Sequence, residues 1–106
     1  MSVYILPQQM LPAAEQIVAM TGSPVLIGTL NQPYIKLILD NQSTSEVVIS
    51  ISYDGGSTSI QWKTFSAGEA LILDGDIYAF PRGAMFYGDG EANGNFSISY
   101  TYIKYP

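Results

Sequence analysis

The chain of 106 residues has no cysteine and no histidine, and it is poor in charge. Without cysteine there are no disulfides, no thiolate nucleophile and no cysteine-based metal site. Without histidine the commonest general base at neutral pH and the commonest zinc ligand are both missing. Charged residues make up 12%, about half the usual share of roughly 25%. The four basic residues, Lys36, Lys63, Arg82 and Lys104, are scattered, and the net charge is −5. A phosphate-binding track needs clustered Lys and Arg, so the pattern speaks against nucleic acid as a partner. No apolar run approaches the roughly 20 residues of a membrane span. The opening "MSVYILPQQMLPAAEQ" has no basic region ahead of its short apolar run, so no signal peptide is expected.

What the sequence does contain is alternation of period two. In "FSISYTYIK", residues 96–104, Phe96, Ile98, Tyr100 and Tyr102 fall on one face and Ser97, Ser99 and Thr101 on the other. A half-buried antiparallel strand reads this way. Val47, Ile49, Ile51 and Tyr53 alternate with Val48, Ser50 and Ser52, and Ile60, Trp62 and Thr64 continue beyond "YDGGSTS". Asp54-Gly55-Gly56 tolerates the positive φ of a hairpin turn, so a hairpin is expected with a tight turn, or with a loop of four or five residues if pairing resumes at Ser59. Further strands are read at residues 24–30, 34–40, 69–74, 77–80 and 84–88, separated by Pro, Gly, Asn and Asp. The sum is about eight or nine short strands at the rhythm of a sandwich or barrel. The expected fold is all-β, an antiparallel β-sandwich of about eight strands arranged as a jelly roll.

Residues 1–20 read as an N-terminal arm and residues 21–106 as the sandwich domain. Leu11, Ala14, Ile17 and Val18 have helical spacing, with Pro12 near a first turn and Gly22 near an end. A short helix and an extended arm both fit.

The search for chemistry finds little. "DGEANG", residues 89–94, has part of an EF-hand outline, but Glu91 and Tyr100 stand where ligands of other types belong. Asp74 and Asp76 bracket a turn glycine and do not make the facing pair of a glycosidase. The expectation is a protein without catalytic, cofactor or metal residues, and not an enzyme. Asn41-Gln42-Ser43 and Asn95-Phe96-Ser97 match the glycosylation sequon and are read as chance. Eight Tyr, four Phe and one Trp are the richest feature. Such side chains suit interfaces and sugar platforms, but strand faces favour them anyway, so Trp62 is assigned to the core ahead of a platform.

The order "TGSPVLIGTLNQPYIKLILDNQSTSEVVISISYDGG", "FSAGEALILD", "PRGAMFYGDG", "NGNFSISYTYIKYP" resembles small virion proteins of tailed bacteriophages, over about residues 21–104. Among these, the capsid decoration or cement proteins are similar small β-sandwiches or jelly rolls. The resemblance implies a non-enzymatic structural role on the capsid exterior, bridging capsomers, with the major capsid protein or other virion proteins as partners. A neck, tail or fibre component is the alternative, and a carbohydrate-binding module is a second one. A homo-oligomer is expected, because sheet edges need cover. The expected contact surface is Val3, Tyr4, Ile5, Leu6, Met10 and Leu11 with Tyr105 and Pro106, since apolar termini call for a partner.

Overall fold

A computed structural model describes residues 9–12, 15–30, 34–74 and 80–104. They form nine strands: β1 (Gln9–Pro12), β2 (Gln16–Ala19), β3 (Val25–Thr29), β4 (Tyr34–Asn41), β5 (Val47–Ser52), β6 (Ile60–Phe65), β7 (Ala70–Asp74), β8 (Met85–Gly90) and β9 (Asn95–Lys104). All pairings are antiparallel. One sheet runs β1-β9-β4-β7, with β2 also on β9; the other runs β3-β8-β5-β6.

The topology is that of a jelly roll. The hairpin β5–β6 is the centre of a nest in which β4 pairs β7, β3 pairs β8 and β2 pairs β9. Rolling this long ladder brings β4 against β9 and β5 against β8, which closes the two sheets. Successive strands from β2 onward change sheet at each connection except β5–β6, as the double-sheet fold requires.

The core lies between the sheets. Leu37, Leu39, Phe96, Ile98 and Leu73 come from one side, and Ile27, Val47, Ile49, Ile51, Phe65 and Phe86 from the other. Full burial of each such side chain contributes about 1.5–3 kcal/mol relative to exposure. Gly88 and Gly90 on β8 leave room for this packing. A Cβ on Gly88 would meet Ile27 Cδ1 at 2.6 Å, and one on Gly90 would meet Val47 Cγ2 at 2.8 Å.

Three local expectations are corrected. First, the helical alternative near the N-terminus is not taken at residues 9–12 and 16–19, which are extended and hydrogen-bonded to β9. Strand partners satisfy their backbone groups, and only Val18 of β2 turns toward the core. Second, Asp54-Gly55-Gly56 does not make a tight turn, because β5 ends at Ser52 and β6 begins at Ile60. Side chains within the loop capture its N–H groups in place of strand pairing. Third, the face Ile60, Trp62, Thr64 is broken by a bulge. Ser50 pairs Gln61 while Ile49 pairs Lys63, so Trp62 is the extra residue. The bulge reverses the phase, exposing Thr64 and burying Phe65. The strand read at residues 77–80 falls mostly outside the described residues.

Candidate functional site

The outer face of the β3-β8-β5-β6 sheet carries a row of four residues, one per strand. Leu26 pairs Tyr87, Tyr87 pairs Ser50, and Ser50 pairs Gln61. In the next row Asp89 pairs Val48. Alternation in β5 and β8 sends Ile49, Ile51 and Phe86 inward, so Ser50, Tyr87 and Asp89 must point out. Of these, Val48, Ser50, Gln61, Tyr87 and Asp89 line, with Pro24, Gly56 and Ser59, a cleft of about 340 Å3.

The wall of this cleft is the β5–β6 loop, which is held by its own side chains. Ser52, fully buried, donates through Oγ to Asp54 Oδ1 at 2.8 Å and accepts from the N–H of Gly56 at 2.9 Å. Asp54 also accepts from the Thr58 hydroxyl at 2.6 Å and from the Thr58 N–H at 2.9 Å. These bonds favour the carboxylate, so the Asp54 pKa falls from 3.8 to about 2, with the Thr58 hydroxyl the main cause, then the Thr58 N–H and Ser52. Gly55 and Gly56 take positive φ, 75° and 97°. At Gly56 a Cβ would come within 2.7 Å of the Tyr87 phenol oxygen, so only glycine lets the loop close on that ring.

A second cleft, of about 320 Å3, lies at one end of the sandwich between the β4–β5 and β8–β9 loops. It is polar and braced by Asn41, which is fully buried at the end of β4. The Asn41 amide donates to the carbonyls of Ser45 and Ser66 at 2.9 Å each and of Phe65 at 3.3 Å. Its Oδ1 accepts from the Ser43 N–H and hydroxyl. Asn41 is therefore a structural tie and is closed to glycosylation. Glu91 in the same cleft accepts from the Ser45 hydroxyl at 2.6 Å. Among the described residues no three His, Cys, Asp or Glu side chains gather as metal ligands.

Trp62 sits half-buried against Phe80 and Phe86, edge to face, with centroids 5.5 and 6.3 Å apart. It packs against the core. Of the expected contact residues, Met10 and Leu11 lie in β1, paired with Ile103 and Tyr102. Val3, Tyr4, Ile5, Leu6, Tyr105 and Pro106 lie outside the described residues. Sequence reasoning missed the Tyr87 cleft, because its residues come from β5, β6, β8 and a loop. The alternation in "MFYGDG" was the available signal for an outward Tyr87.

The outer face of the other sheet differs. Ile17 and Ile72 are 55% and 62% exposed. Ile72 pairs Ile38, and Ile38 pairs Ser99, so an apolar strip crosses β7 and β4 to the small hydroxyl residues of β9. Among the described residues no helix is long and apolar enough to cross a membrane.

No protein-family model and no curated protein sequence matches the chain. Among solved structures it is similar to a protein of Bacillus endospore appendages, a family of disulfide-linked pili. The TM-score is 0.52 at 16% identity, covering 90% of this chain and 88% of that one. It is also similar to the family 29 carbohydrate-binding module CBM29-2, with a TM-score of 0.47 at 18% identity, covering 85% of this chain and 69% of that one. At these identities what is shared with the pilus protein is the fold, a small β-sandwich.

Proposed function

We propose that the chain is a non-enzymatic structural subunit that binds the surface of a larger protein assembly. In its finer form it is a decoration protein on the exterior of a tailed-phage head, bridging copies of the major capsid protein. The observation that carries this reading is the outer face of the β1-β9-β4-β7 sheet. It carries small hydroxyl side chains of β9 and the exposed Ile17 and Ile72, and its apolar strip, flanked by Lys36 and Asp74 on one side and Asp40 on the other, runs out to an edge strand and suits burial under a neighbour. The low charge of the whole chain supports it, since charged residues are depleted at the centres of interfaces. The pilus protein supports the same reading at the level of fold, as a jelly-roll-sized sandwich used in a repeating assembly. This chain has no cysteine, so disulfides cannot link it to its neighbours.

The mechanism is linkage. A subunit that binds the assembled shell and not its free parts stabilises the shell, and many copies make modest affinity at each site sufficient. The test is light scattering on the purified chain followed by cosedimentation with phage capsids. Pelleting on the order of hundreds of copies per particle, as closed shell symmetry provides, supports decoration. A protein that ignores capsids overturns it, and one that joins as a single ring moves the assignment to neck or tail.

A further inference from the structure

We propose that the Tyr87 cleft is a binding site for a neutral saccharide. This inference does not depend on the structural role proposed above.

Three features of the cleft argue for it. Tyr87 stands in the middle of the row Leu26, Tyr87, Ser50, Gln61, with the short Ser50 beside it. An aromatic ring next to a small neighbour offers its electron-rich face to polarised C–H groups, which line one side of a pyranose. Around the ring stand an amide (Gln61), a carboxylate (Asp89) and hydroxyls (Ser50, Ser59). An amide donates to one sugar hydroxyl and accepts from the next, a carboxylate accepts from one or two, and Ser hydroxyls do either, so the set matches a polyol. The cleft, about 340 Å3, lies at the small end of the roughly 300–1,000 Å3 range of ligand sites. That suits one or two sugar rings better than a folded protein partner.

The wall is also formed in advance. The Ser52–Asp54–Thr58 hydrogen bonds fix the loop, and Gly56 lets it close on the Tyr87 hydroxyl. Pre-formed walls reduce the ordering cost of binding a small ligand. The charge of the lining sets the class of sugar. No Lys or Arg lines the cleft, and Asp89 places a negative charge in it. Sialylated, sulfated and uronic sugars are repelled, whereas neutral hexoses and N-acetylhexosamines are accepted.

The test is an array of neutral and acidic oligosaccharides probed with the full chain, followed by calorimetry with the best glucan, mannan, galactan or N-acetylglucosamine oligomer. The expected result is capture of neutral glycans in preference to acidic ones. Gln61→Ala, at an exposed position, should weaken binding about tenfold, and Tyr87→Ala at least as much. Asp89→Asn should restore some binding of acidic sugars. If Tyr87→Ala does not fold, Gln61→Ala alone carries the test, checked by an unchanged melting temperature. Capture of no neutral glycan, capture of peptides only, or binding unchanged in Gln61→Ala would overturn the proposal.

Discussion

The ring of Phe65 meets the ring of Phe96 edge to face, with 5.2 Å between centroids and 85° between planes. Phe65 ends β6 in one sheet and Phe96 is the second residue of β9 in the other, so this pair joins the two layers near one end of the sandwich. Both side chains are fully buried. Phe65→Ala should therefore cost about 3–5 kcal/mol, from lost transfer energy and from a cavity between rigid sheets. Urea denaturation with an unchanged m-value checks this, and a loss below about 1 kcal/mol would contradict the assigned packing.

Asn41 ties together two loop carbonyls, those of Ser45 and Ser66, and the Phe65 carbonyl at the end of β6 from a fully buried position. Asn41→Ala leaves those carbonyls without their shared donor and should cost about 2–3 kcal/mol. Asn41→Asp should be worse at neutral pH, because it turns a carboxylate toward carbonyl oxygens. Thermal melts of the two variants at pH 7 measure the order, and an Asp variant as stable as the native chain would refute the arrangement.

Asp54 predicts a specific pH dependence. Its folded pKa, about 2, lies below the ordinary 3.8. A depressed carboxylate contributes stability in full above the unfolded pKa and loses it as pH falls through the folded one. The loss belongs to the window from pH 3.8 down to about 2. Thr58→Val removes the largest cause and should raise the Asp54 pKa toward the ordinary value. Carboxyl-carbon chemical shifts followed through an acid titration read this directly, and an unmoved midpoint would exclude Thr58 as the cause.

Deleting Met1 to Met10 should leave the fold intact and abolish binding to particles. Among the described residues the buried hydrophobic core runs from Met20 to Ile98, all of it beyond the deleted segment. It shortens β1, whose partners are Pro12↔Thr101 through Gln9↔Lys104 at the far end of β9. Circular dichroism and capsid cosedimentation separate the two effects. Full decoration by the truncated chain would show that the arm is no anchor.

Much of the architecture was legible because strand periodicity is local. The alternation of Phe96, Ile98 and Tyr100 with Ser97, Ser99 and Thr101 placed the inner and outer faces of β9, and the inner three do pack in or against the core. The same reasoning failed at Trp62. A bulge depends on the partner strand, and nothing within "IQWKTF" marks where the phase reverses. It fell short again at "YDGGSTS", where Ser52, Asp54 and Thr58 hydrogen-bond across a seven-residue span that local turn rules read as a tight turn or a loop of four or five residues.

The sequence by itself determined strands, turns, an all-β class and the lack of cysteine and histidine chemistry, since each of these follows from residue type and near neighbours. Only the tertiary structure decided which strands pair. Nested ladders between β2 and β9, β3 and β8, and β4 and β7 join residues that are far apart in the chain. Their pairing is set by the joint burial of both sheets' apolar faces. The same long-range pairing alone places Tyr87, Ser50 and Gln61 in one row, and so creates a cleft that no single segment encodes.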